Sequence, residues 1–302
     1  MSSPRSAALA AGIELANAAP AGRSPWVDAQ TRFLRNRAAV VSLLLLAVIT
    51  LLCVLGPMLL PHSFEDTDWN LMGIRPTWAN WHLFGTDELG RDLLVRTLIG
   101  GRISLMVGLL ATLVSVSLGI VWGAVAGFVG GKVDGLMMRI VDMLYAVPYL
   151  LIAILVVTIF GRDILLVVLA ISAFSWMDMA RVVRGQTLAI KSKEYVEAAH
   201  AIGVPTWRII FQHVVPNLLG IVVIYTSITV PGVILTESVL SFLGLGVQEP
   251  MTSWGVLIHD GANVMAATPW MILFPAAALS ITLYCANFIG EGLRDALDPK
   301  DL

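Results

Sequence analysis

Charge is what this 302-residue chain has least of: Asp, Glu, Lys and Arg make up 13% of it. A water-soluble domain carries nearer a quarter. A soluble globular protein is therefore a poor description. Cysteine is scarce too. Cys53 and Cys285 each sit inside an apolar run, far apart and without metal spacing, and both read as packing residues. His62, His82, His200, His213 and His259 are scattered, with no pair at metal-ligand spacing, so no metal site is expected. There is no His-Glu-x-x-His and no Gly-x-Ser-x-Gly elbow. Gly130-Gly131-Lys132 lacks the upstream glycine and the hydroxyl of a phosphate loop, so this chain is not expected to hydrolyse ATP by itself. These absences argue against an enzyme. The net charge of −2 and the lack of a basic stripe argue against a nucleic-acid partner.

What is present is apolar surface. Hydrophobic residues make up 57% of the chain, and mean hydropathy is +0.83. A span needs about 20 apolar residues. Six runs qualify: 38–60, 103–129, 136–160, 164–182, 218–243 and 269–290. The predicted fold is an all-α membrane protein with six transmembrane helices in a lipid bilayer. Before the first span, residues 1–37 read as a tail without the apolar core of a signal peptide, and 26–36 read as a helix lying on the membrane surface. The segments then divide into the first span at 38–60, a loop at 61–102, a core of five spans at 103–290 that contains a loop at 185–216, and a tail at 291–302. An even number of spans puts both termini on one side. With the termini cytoplasmic, inside segments hold 14 of the 19 Lys and Arg residues and outside segments hold 5. The positive-inside rule chooses that orientation.

The segment 194–217 lies between the fourth and fifth spans and looks folded. Ser192 is placed to cap a helix, and Glu194 sits in its first turn, where the dipole favours an anion. Gly203 ends that helix and Pro205 cannot continue it. A second short helix is predicted at 206–215, broken by Pro216, with Asn217 capping the span that follows. On its own, Glu197-Ala198-Ala199 followed by Gly203 also fits a plain amphipathic surface helix. The full spacing from Glu197 to Pro216, set between two spans, resembles the Glu-Ala-Ala loop of ABC importer permeases. His213 stands where a hydrophobic residue is usual, which looks like the peptide branch of that family.

Other stretches extend the resemblance over nearly the whole chain from about Trp26. Phe84-Gly85-Thr86-Asp87-Glu88-Leu89-Gly90-Arg91-Asp92 resembles a signature of the peptide and nickel branch. Leu240 to Pro250, Ser253-Trp254-Gly255 and the tail Gly292 to Asp301 are similar to the C-subunit family of oligopeptide permeases. The resemblance implies a type I ABC importer permease fold with a cytoplasmic coupling helix. It implies a bacterial inner-membrane location. It implies as partners a second homologous permease, two ABC ATPases that bind ATP and Mg, and a periplasmic peptide-binding protein. No cofactor is implied on this chain. It places Tyr195, Glu197, Ala198, Ala199, Ile202, Gly203, Trp207 and Pro216 in ATPase coupling. The same fold with dipeptides, murein peptides, glutathione or nickel as cargo stays open. An ion-coupled secondary transporter also stays open, although no internal repeat supports it.

Four further features need a role. Gly119, Gly123, Gly127 and Gly131 recur every four residues and suit close helix packing or a substrate path. Pro148 and the pair Pro231-Gly232 are expected to kink their spans, in a gate or in a static bundle. Asp87, Glu88, Arg91 and Asp92 fit a structural lid or a docking surface, with Thr86 or Asp87 capping a helix from 88 to 99. Ionisable groups in spans need partners. Arg139 with Asp142, and Asp178 with Arg181, are spaced i, i+3 as interface anchors, and Glu237 is expected to bond the 244–246 turn or face an outer vestibule.

Overall fold

Asn36 sets the start of the first long helix in this computed structural model, which describes residues 25–297. Its side chain accepts from the Ala39 amide at 3.2 Å, and α2 then runs Arg37–Leu59. Before it lies α1, Pro25–Arg35. The expectations for 1–24 and 298–302, including Arg5, Arg23 and Lys300 in the charge count, lie outside the described residues. Beyond α2 come α3 (Leu93–Val129), α4 (Gly131–Tyr145), α5 (Tyr149–Phe160), α6 (Ile164–Lys191), α7 (Glu194–Ala201), α8 (Thr206–Leu245), α9 (Trp254–Asn263) and α10 (Trp270–Leu297). Among the described residues there is no strand, only an isolated antiparallel bridge between Thr86 and Asp92.

Five of these helices, α2, α3, α6, α8 and α10, are long and apolar enough to cross a membrane. A sixth crossing exists if α4 and α5 form one span, but the two are bent by 78°. Pro148 is the cause. It caps α5, and its ring cannot continue the helix that ended at Tyr145. Pro231 behaves differently. It is buried inside α8, and the helix continues past it to Leu240.

Boundaries moved where charge interrupts an apolar run. The second span starts at Leu93, ten residues before the expected 103, because Asp92 caps it by accepting from the Val95 amide at 2.8 Å. Thr86 and Asp87 do not cap a helix; they fix the turn before it. Pro216 does not break the helix either. The chain passes through a π-helical turn at Ile210–Val214, whose Val215 amide reaches the Ile210 carbonyl. Pro216 then falls in the first turn of the next α-helical stretch, where its missing donor is not needed. Asn217 donates back to the His213 carbonyl at 2.6 Å.

The centre of the bundle is the contact of α3 with α6. A methyl on Gly119 would lie 2.6 Å from Met179 Cβ, one on Gly123 would lie 2.4 Å from the Ala180 carbonyl oxygen, and one on Gly127 would lie 2.8 Å from the Arg184 carbonyl oxygen. Three of the four spaced glycines therefore let two backbones touch. Gly131 does not: it starts α4 and faces open space. Farther up α3, Gly101 abuts Cys53 and Trp254, and Gly108 abuts Ile234, so α2, α9 and α8 close on the same rod. Both cysteines are buried among the bundle helices.

Candidate functional site

The two ends of α3 lie beside the 194–217 loop and the Asp87 turn. At about 1.5 Å per residue its 37 residues span roughly 55 Å. Near its last residues lies the 194–217 loop.

Helix α7 has two faces, set by the 3.6-residue period. Val196 and Ala199 are buried in an apolar cluster with Phe128, Val183, Ile209 and Val214. Tyr195, Ala198 and Ile202 point away from the core, with Ile202 82% exposed. Ala199 therefore seats the helix on its own chain and is not part of the outward surface. Glu197 is exposed in the first turn of α7. Ser192 does not cap α7; its hydroxyl donates to the Ala189 carbonyl at the end of α6. The C-terminus closes in a Schellman motif. The Gly203 amide donates to the His200 carbonyl and the Val204 amide to the Ala199 carbonyl, both at 3.1 Å. That motif requires the positive φ of Gly203, +83°. Pro205 then caps the start of α8, which presents Trp207 at 59% exposure beside Arg208. The result is an exposed apolar face on α7 and the first turn of α8, held by a buried face and a glycine turn.

The break between α4 and α5 opens a cavity of about 750 Å³ between α4, α6 and α8. Its wall includes Tyr145, Tyr149, Phe174, Asp178, Arg181, Tyr225, Thr229 and Gly232. Charge pairing here crosses between helices. Arg181 Nη2 donates to Asp142 at 2.8 Å, the Arg181 guanidinium lies 4.0 Å over the Tyr145 ring, and the Tyr145 hydroxyl donates to Asp178. The expected i, i+3 pairs do not form, because α4 and α6 pack side by side and Asp142, Asp178 and Arg181 find partners on the neighbouring helix. Arg184 and Asp134 add a bidentate pair at 2.5 and 2.6 Å. The break at Pro148 and the bare backbone of Gly232 thus border one mostly apolar chamber edged by polar groups.

At the other end of α3, Asp87 organises a tight turn. Its Oδ1 accepts from the Leu89 and Arg91 amides at 2.9 Å, and its Oδ2 accepts from Arg91 Nε at 2.7 Å. Arg96 Nη1 approaches the same oxygen at 3.5 Å, and Arg91 Nη2 donates to Glu249 at 2.9 Å. Asp87, Arg91 and Asp92 are buried, so of the four acidic and basic residues singled out in this signature only Glu88 offers a free surface. Burial would lower the Arg91 pKa, but the hydrogen bond and charge of Asp87, then those of Glu249, hold it above the ordinary arginine value. Burial pushes Asp260 up, against the opposing charge of Arg96.

Glu237 is 1% exposed and faces neither the 244–246 turn nor a vestibule. It accepts from Ser104 Oγ at 2.9 Å and Ser241 Oγ at 2.7 Å, with Ser238 Oγ at 3.4 Å. The Trp254 amide donates to Ser104 Oγ, so the carboxyl group ties α3, α8 and α9 together. The histidines are not all scattered in space. His62 and His82, 20 residues apart, stack at 4.4 Å, and His82 Nδ1 bonds Asp92 at 2.8 Å. Sequence spacing missed this because the chain between them loops back.

Comparisons with known proteins agree with this architecture. Residues 119–300 match the family described as binding-protein-dependent transport system inner membrane component. Residues 24–76 match the N-terminal TM domain of oligopeptide transport permease C. The chain is 60% identical over 280 residues to the oligopeptide transport system permease protein OppC of Salmonella typhimurium, covering 93% of each. It is 56% identical to the protein of that name in Haemophilus influenzae, covering 93% of this chain and 90% of the relative. It is 43% identical to the dipeptide transport system permease protein DppC of Bacillus subtilis, covering 90% of this chain and 85% of the relative. A helical bundle of membrane-length spans, with an exposed short helix between α6 and α8, thus belongs to the family of binding-protein-dependent transport system inner membrane components.

Proposed function

We propose that this chain is the non-catalytic membrane subunit of an ATP-driven importer that carries oligopeptides inward. The observation that carries this reading is the outward face of α7 and the turn after it. Tyr195, Ala198, Ile202 and Trp207 stay exposed while Val196 and Ala199 anchor the helix. An ATPase groove that accepts this face moves α7, and α7 moves the cluster at the ends of α3 and α6. The 750 Å³ chamber faces a second, homologous permease and forms half of the pathway. Pro148, Pro231 and Gly232 lie where that half changes shape. Two ATPase subunits hold ATP and Mg, and a periplasmic binding protein delivers peptide at the end of α3 that carries Glu88. With the second span moved to its observed start, the segments 38–60, 61–92, 93–290 and 291–302 act as first span, periplasmic loop, transport core and cytoplasmic tail, in the bacterial inner membrane with both termini inside.

Oligopeptides are favoured over dipeptides because the relatives at 56–60% identity are named for oligopeptides, while at 42–43% the names divide between oligopeptide and dipeptide. The test is Ala198→Trp, which adds bulk to the outward face and leaves the buried face alone. ATP-dependent uptake of labelled oligopeptides is expected to stop while the chain still reaches the membrane, and the ATPases are expected to leave the purified complex. Normal uptake, or uptake driven by an ion gradient without ATP, overturns the reading. Competition with dipeptides separates the two cargo classes.

A further inference from the structure

Loop 61–92 brings together three metal-ligating side chains that the transport reading does not use. One donor atom each from His62, His82 and Asp92 lies within 4.8 Å of the other two. Their hydrogen bonds fix which nitrogens are free. Asp92 Oδ2 can only accept as a carboxylate, so His82 Nδ1 carries the proton of the 2.8 Å bond. In the neutral ring Nε2 then carries the lone pair. That atom is buried and has no hydrogen-bond partner in the protein. The Asn80 carbonyl likewise can only accept, so His62 Nε2 donates to it at 2.8 Å and Nδ1 carries the lone pair. Each imidazole is thus held from behind by an oxygen, one a carboxylate and one a carbonyl. This is the outer-shell arrangement that orients metal-binding histidines.

We propose that His62 and His82, backed by Asp92 and the Asn80 carbonyl, bind one borderline divalent cation of the Zn²⁺ class. Imidazole nitrogens favour Zn²⁺, Co²⁺, Ni²⁺ or Cu²⁺ and disfavour Mg²⁺ and Ca²⁺, which take oxygen ligands. With bonds of about 2.0–2.1 Å, donors around a tetrahedral ion sit roughly 3.3 Å apart. The two rings stack with an interplanar angle of 17°, so binding turns one of them. His62 is the ring that turns: it is half-buried on the loop, whereas His82 is 4% exposed. Water or an external carboxylate completes the coordination. Asp92 also caps α3, so the ion clamps the loop onto the first turn of that helix.

The full-length chain, purified in detergent with a histidine-free tag and stripped of metal, is titrated with Co²⁺ and its visible absorption is followed. One Co²⁺ per chain is expected, displaced by Zn²⁺ and unaffected by excess Mg²⁺. His62→Phe keeps an aromatic ring for the stack and removes the nitrogens. It is expected to weaken Co²⁺ binding by a factor on the order of 100 while leaving metal-free thermal unfolding unchanged. His82→Gln is expected to lose the site as well. No Co²⁺ uptake at this stoichiometry, or equal uptake by His62→Phe, overturns the proposal. Loss of binding in a His200, His213 or His259 variant instead would place the ion elsewhere and overturn it equally.

Discussion

Gly203 gives the sharpest test of how the loop is held. Its φ is +83°, its amide bonds the His200 carbonyl, and a methyl group built on it meets nothing within 4 Å. The penalty for Ala is therefore purely conformational, about 1–2 kcal/mol for an L-residue in the left-handed region. That corresponds to a factor of roughly 5–30 in the fraction of intact turns. Asn, which visits this region more readily, loses less. Pro at 203 fixes φ near −65° and deletes the amide, so both Schellman bonds fail, at about 3 kcal/mol or more. Neither change touches the buried face formed by Val196 and Ala199. The assay is the initial rate of labelled peptide uptake in cells whose own copy is deleted, with immunoblots of membrane fractions as the control. Uptake is expected to rank Gly, Asn, Ala, Pro, with Pro near zero and all four chains equally abundant. Equal uptake by the Ala and Pro variants would sink the argument, because it would show that the turn transmits nothing. A loss of all three chains from the membrane would point to folding instead of coupling.

Two further outcomes follow from packing and burial. Gly123→Val places branched carbons against the Ala180 carbonyl, where even a Cβ would sit at 2.4 Å. Such overpacking typically costs about 1–3 kcal/mol, and a lowered melting temperature in detergent is expected, whereas Gly185→Val, with open space around it, leaves melting unchanged. Glu237→Ala removes the shared acceptor of three serine hydroxyls, a loss of about 2–4 kcal/mol for three hydrogen bonds of ordinary net strength. Glu237→Gln keeps one acceptor oxygen and is expected to recover about half of that in the same melting assay.

Much of this architecture is legible from local pattern. The apolar runs mark the spans, because a bilayer demands length and hydropathy that sequence shows directly. The two faces of α7 are legible only in part: Tyr195, Ala198 and Ile202 do face outward, but Ala199, grouped with them for coupling, is buried beside Val196. What the sequence hides is partnership at a distance. Ser238 and Ser241 stand one and four residues from Glu237 and are visible as neighbours, but Ser104 is 133 residues away. Arg181 lies three residues from Asp178, yet its bond goes to Asp142 on another helix. Pro148 announces a disturbance without giving its angle of 78°. Arg96 and Arg102 made the apolar run look shorter than the helix, since a helix begins at its cap and not at its first stretch of unbroken hydropathy.

The bare glycine seam between α3 and α6 has a mechanical consequence. Where backbones touch through Gly119, Gly123 and Gly127, no long side chain lies between them to absorb shear. The two helices then tilt as one beam. Pivoted near one end, a beam of roughly 55 Å swings its far end by about 5 Å for a tilt of about 5°, close to one helical turn. Under the proposed coupling, a small push at the α7 end would thereby be geared up to a shift of about one helical turn at the Asp87 turn, without any helix having to bend.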